Sequence, residues 1–209
     1  MKDLLVYLAD ADALAFLRSI LQKPRALSTR DFSFEILRHP LRDAGMVQSG
    51  AELARMKKRE YSKALLVWDH HGSGQDHKMS PTEAVTKMQE KLDLYTWSNN
   101  SAVVVLSPEL EQWLWYCESA LCTYLKIEDK VLTRWIKERA DTLNSTPDEL
   151  IARQPKELFE HIMRDKVKRT ISPKDFEEIG KLSSVKSLLN CASFRELYDA
   201  LGDWFPETE

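Results

Sequence analysis

Residues 64–77, ALLVWDHHGSGQDH, constrain the fold of this chain more than any other stretch. Ala64, Leu65, Leu66, Val67 and Trp68 form an unbroken apolar run, whereas a strand with one wet face would alternate. Such a run belongs in the middle of a parallel sheet that is covered on both faces. It stops abruptly at Asp69, followed by two histidines and a Gly-Ser-Gly turn. Open α/β sheets bind ligands at the carboxyl ends of their strands, so the sequence predicts a site at Asp69.

The flanking segments fit such a sheet. Residues 4–9, LLVYLA, form a second apolar run, stopping at Asp10. Leu14, Phe16, Leu17, Ile20 and Leu21 then follow at helical spacing, predicting a helix over 11–21 that ends before Lys23-Pro24. Phe32, Phe34, Ile36 and Leu37 mark another strand. The segment His39-Pro40-Leu41-Arg42-Asp43-Ala44-Gly45 reads as a loop, because proline and glycine bracket charged residues, and a helix capped by Ser49 is expected over 49–56. Lys57, Lys58 and Arg59 read as a solvated basic face. Ser80-Pro81-Thr82-Glu83 is a helix start with a capping box. Residues 101–106, SAVVVL, form a short buried strand, and Ser107-Pro108-Glu109-Leu110-Glu111 reads as the next capped helix start.

Strands alternating with helices predict an α/β fold with a mainly parallel sheet and helices on both faces. From Glu128 onward strand signals give way to helical patterns over 131–140, 147–152, 155–167, 173–182 and 193–204. The expected organisation is an α/β core over 1–126 and a helical extension over 127–209 packed upon it. A net charge of −3 argues against a protein that coats nucleic acid non-specifically, since phosphate-driven binding needs a basic face. Three cysteines, Cys117, Cys122 and Cys191, lack metal-binding spacing and are odd in number, which suits a reducing cytoplasm. Asp3, Asp10 and Asp12 interrupt the apolar amino-terminal run, so neither a signal peptide nor a membrane span is expected there.

The candidate site residues are the acids Asp10, Asp12, Asp43, Asp69, Glu109 and Glu111. Carboxylates that converge repel one another unless a hard cation such as magnesium sits between them. The competing reading makes Asp10 or Asp12 a helix cap and Glu109 a partner of its own helix dipole. Adjacent histidines on an extended chain point to opposite sides, so at most one of His70 and His71 should face the site. Gly72-Ser73-Gly74 lacks the remainder of a phosphate-binding fingerprint. Trp97, Trp113 and Trp115 read as core, with Leu110, Trp113 and Leu114 on one helical face. Lys156, Arg164, Lys166, Lys168 and Arg169 form the densest basic region of the helical half, either a solvated surface or a phosphate contact.

Taken together, LADAD, HPLRDAG, VWDHHGSG, SPELEQWLW, QPKELFEHIMR and CASFRELYDALGDWFP resemble, over nearly the whole chain, small bacterial Toprim-like proteins encoded in phage-defence gene clusters, among them a component of methylation-associated defence systems. The resemblance implies a Toprim-like sheet with one acid after the first strand and an acidic motif after a later one. In active members these bind magnesium for chemistry at phosphodiester bonds. Carried over by position, Asp10 stands at the first acid and Asp69 at the start of the second motif. Glu109 or Glu111 would complete the shell around magnesium or manganese, and His71 would position water or stabilise the leaving oxygen. The implied partners are other defence proteins and DNA or RNA, without a membrane. Two departures are evident: Asp10 replaces the usual glutamate, and Asp69-His70-His71 replaces Asp-x-Asp. A nuclease-like subunit, an inactive module binding nucleic acid or protein, and an enzyme acting on nucleotides therefore stay open.

Overall fold

A computed structural model describes residues 1–207. Four strands, β1 (Lys2–Leu8), β2 (Phe34–Arg38), β3 (Tyr61–Asp69) and β4 (Ser101–Leu106), form an all-parallel sheet in the order β2-β1-β3-β4. Strand order reverses between β1 and β3, which neighbour each other while their successors lie on opposite sides. Leu8 pairs with Val67 and Asp69 with Leu106, so Asp10 and Asp69 leave the sheet at the same rim, beside this reversal. Crevices of this kind are where open α/β sheets take up ligands.

Period-two alternation divides the strands between two buried layers. Leu5, Tyr7, Leu66 and Trp68 face the side covered by α2 (Arg42–Met56) and α3 (Pro81–Leu94). Leu4, Val6, Leu65 and Val67 face α1 (Ala11–Leu21). The continuous apolar run of β3 thus reflects a strand buried on both faces. Helix α3 carries the anticipated capping box, in which Ser80 and Glu83 satisfy each other's backbone N–H groups.

The second half adds α4 (Glu111–Trp115), α5 (Glu118–Leu125), α6 (Asp129–Thr142), α7 (Pro147–Arg153), α8 (Pro155–His161), a π-helical turn (Ile162–Lys166), α9 (Pro173–Leu182), α10 (Val185–Leu188) and α11 (Ala192–Trp204). Their apolar side chains join the α1 face in one buried cluster. Ser19 Oγ donates to the Glu177 carbonyl at 3.0 Å, and Lys23 Nζ donates to the Gly180 and Ser183 carbonyls at 2.7 and 2.8 Å. A Cβ on Gly180 would lie 3.0 Å from the Phe16 carbonyl oxygen, so α9 approaches α1 closely only through a glycine. Trp97, Trp113 and Trp115 are core residues. Trp113 Nε1 donates to Ser193 Oγ at 2.9 Å, and Trp115 Nε1 to the Pro155 carbonyl at 3.0 Å, tying α4 to α11 and α8. Among the described residues no helix is long and apolar enough to cross a membrane.

Two local expectations are corrected. Helix α2 begins at Arg42, within the supposed loop, and Ser49 lies inside it. The buried His39 ring organises this start: Nδ1 accepts the Leu41 N–H at 3.1 Å, which leaves Nε2 to donate to Ser49 Oγ at 3.0 Å. Gly45 sits mid-turn because a Cβ there would come within 2.2 Å of the same ring, so packing rather than a chain reversal requires the glycine. The second correction is that Ser107 does not cap α4, which starts at Glu111 with no side-chain cap from its own segment. Its approach is held instead from β3, where Asp69 Oδ1 accepts the Leu110 N–H at 3.0 Å.

Candidate metal centre

The carboxyl end of β3 delivers Asp69 to the rim, and both its backbone and its side chain are fixed. Its N–H donates to Asp43 Oδ1 in the first turn of α2 at 2.9 Å, while its own Oδ1 holds Leu110. Asp69 keeps part of its surface open to the rim, although surrounding protein encloses its carboxylate. The link from β4 to α4 supplies Glu109 and Glu111, only 4% and 7% exposed. One oxygen from each of Asp69, Glu109 and Glu111 lies within 4.8 Å of the other two.

So much buried negative charge is unfavourable by itself. Burial first, and then the neighbouring Glu109 charge, push the Glu111 carboxyl up to about 8. Burial and the charges of Glu111, Asp43, Asp10 and Glu109 hold Asp69 well above the usual carboxylate range. Glu109 is raised by burial and partly relieved by Lys156, whose Nζ lies 3.8 Å from Glu109 Oε2. For Lys156, the attraction of Glu111, Glu109, Asp69 and Glu160 outweighs burial and raises its pKa. One ammonium faces three carboxyl groups. A divalent cation would remove the remaining repulsion, and a donor set of carboxylate oxygens without thiol or imidazole suits a hard ion. The residues present therefore fit a hard divalent cation.

Asp10 lies outside this tight cluster. It caps α1, its Oδ1 accepting the Ala13 N–H at 2.8 Å, and it lines the same cleft of about 290 Å³ as Asp69, Glu109 and His71. Its charge still reaches the cluster, contributing to the raised pKa of Asp69, Asp43 and Glu111. Half-buried Asp12 is raised to about 6 by burial and then by Asp10. His71 is exposed on the cleft, whereas the buried His70 is committed to the Met79 carbonyl, with Nε2 at 3.0 Å. His77 points to solvent beside Asp76. Gly72 lines the cleft, and Ser73 closes its own turn by donating to the His70 carbonyl at 2.7 Å.

Apart from Asp43, already among the candidate acids, the remaining wall comes from places the sequence pattern did not unite. Arg42 and Asp43 enter from the start of α2, and Lys156, Glu157 and Glu160 from α8. Of the basic group in the helical half, Lys156 alone lines this cleft; Lys166 pairs with Glu138 at 2.7 Å and Arg169 with buried Asp175 at 2.9 Å. The available signal for α8 was Pro155 at a helix start directly before Lys156-Glu157. Comparison with family models, curated proteins and solved structures finds no match to this chain.

Proposed function

We propose that the chain is a cytoplasmic, Toprim-like component of a bacterial antiphage defence system that holds magnesium or manganese at Asp69, Glu109 and Glu111 and acts on phosphodiester bonds of DNA or RNA. The observation that carries this reading is the convergence of three largely enclosed carboxyl groups at the carboxyl rim of the sheet, beside the reversal of strand order. A cation held by these three residues would supply charge neutralisation for a phosphodiester and stabilisation of charge developing on its oxygens. Lys156 and Arg42 line the same cleft and offset the repulsion that its acids impose on a phosphate. His71 offers an exposed imidazole for proton transfer at the rim. Asp43 positions Asp69 through its backbone N–H.

A module that binds nucleic acid or protein without cutting is the second reading. It is favoured by the Lys156 ammonium beside Glu109 and by the engagement of Asp10 as a helix cap. Incubation with single- and double-stranded oligonucleotides in magnesium or manganese separates the two. Cleavage lost in Asp69→Asn and on chelation supports the enzyme. Cleavage unchanged by Asp69→Asn would refute it, and metal binding without cleavage selects the second reading.

A further inference from the structure

At the opposite, amino edge of the sheet, the carboxyl ends of α2 and α3 border a groove of about 580 Å³ lined by Arg55, Met56, Lys58, Arg59, Leu94 and Tyr95. Arg55, Lys58 and Arg59 have no ion-pair partner among the described residues, although the chain as a whole has more acids than bases. Lys57 is already paired with Glu60 at 2.9 Å. Two of the cations are held against aromatic rings: the Arg55 guanidinium lies 5.1 Å from the Tyr95 centroid, and the Lys58 ammonium 3.7 Å from that of Trp97. Such contacts restrain long side chains and reduce the ordering cost of a complex.

The groove is also apolar in an unusual way. Met56 and Leu94 are 77% and 82% exposed, which makes them, after the terminal Met1, the most exposed large apolar side chains among the described residues. Both line this one groove. Methionine and arginine are among the residues enriched in protein interfaces, and neighbouring exposed apolar side chains mark such surfaces.

We propose that this groove docks an acidic peptide segment of a partner protein, with an aliphatic side chain of that segment seated against Met56 and Leu94 and its carboxylates facing Arg55, Lys58 and Arg59. Charge complementarity favours an acidic occupant, and the exposed aliphatic groups favour a peptide over a nucleic acid. Bases stack on open aromatic faces, but here Trp97 is fully buried and Tyr95 lies under Arg55. Phosphates would leave Met56 and Leu94 in water, whereas an acidic peptide covers them.

Fluorescence anisotropy with the full chain tests this, using a labelled short peptide in which glutamates flank a Leu-Leu pair. Its controls are one peptide with glutamine for glutamate, another with serine for leucine, and a labelled single-stranded oligonucleotide. Saturable binding of the acidic peptide is expected, weakened about tenfold in each control peptide and in each of Arg59→Glu and Met56→Asp. Both substitutions fall on exposed side chains away from the acidic cleft and should leave metal binding unchanged, with only a small shift in thermal unfolding from the Met56→Asp charge at the carboxyl end of α2. Absence of saturable binding, or binding indifferent to both substitutions, overturns the proposal. Tighter binding of the oligonucleotide that Arg59→Glu abolishes overturns it in favour of nucleic acid. Self-association in sedimentation velocity that Met56→Asp abolishes overturns it in favour of a second copy of the chain.

Discussion

Asp69 has two tasks, and substitutions can separate them. It accepts the Leu110 N–H, which fixes the approach to α4, and it contributes an oxygen to the carboxylate cluster. Asp69→Asn keeps an acceptor for Leu110 but loses the charge; calorimetric titration with manganese should show affinity falling by about tenfold or more, with little change in melting temperature. Asp69→Ala leaves the Leu110 N–H without its acceptor and should cost a further ~1–3 kcal/mol in denaturant unfolding. Glu111 makes a separate prediction. Its carboxyl titrates near 8 in the folded metal-free protein against an ordinary 4.5, so the folded state binds the proton more tightly. The associated stability is complete below about 4.5 and is lost as pH rises through about 8. Thermal unfolding in chelator should therefore show stability declining across that window, with a shallower decline in Glu111→Gln. At this scale Asp69, Glu109 and Glu111 were legible because each follows an apolar strand, whereas Lys156 was not, because its approach to Glu109 depends on how α8 packs.

Elements were legible where independent signals agreed. Helix α1 spans the predicted Ala11–Leu21 and β4 the predicted Ser101–Leu106, since periodicity, caps and flanking breakers agree there. The start of α2 was not legible: proline and glycine suggested a turn, while the buried His39 ring accepts the Leu41 N–H just ahead of the helix and is the reason for Gly45. Likewise, the brace on α4 comes from Asp69, distant in sequence, and local reading placed it at Ser107. The glycines of the helical half behave in opposite ways. Gly180→Ala forces a Cβ toward the Phe16 carbonyl and should destabilise by about 1–3 kcal/mol. Gly202→Ala, within α11 and with nothing near the added carbon, should stabilise by about 0.5–1 kcal/mol. Paired chemical denaturation of the two variants checks both signs.

The whole molecule places the candidate carboxylates Asp10, Asp69, Glu109 and Glu111 at the carboxyl edge of a parallel sheet and the groove of Arg55, Lys58 and Arg59 at the amino edge. The sequence conveyed the layered α/β architecture because strands buried on both faces carry continuous apolar runs. It did not convey that α8 forms a wall of the acidic cleft, since amphipathic helices report burial but not which neighbour they meet. Removing residues 127–209 would uncover the apolar side of α1 and α4; the remaining fragment should bind a hydrophobic dye strongly and lack a cooperative melt, unlike the full chain. The proposed function stands on a single hard-cation centre at the end of β3. The most direct measurement is the anomalous difference map of a crystal grown with manganese. One strong peak bonded to carboxylate oxygens of Asp69, Glu109 and Glu111 is expected, absent in Asp69→Asn; saturating manganese with no peak among these three residues would rule that centre out.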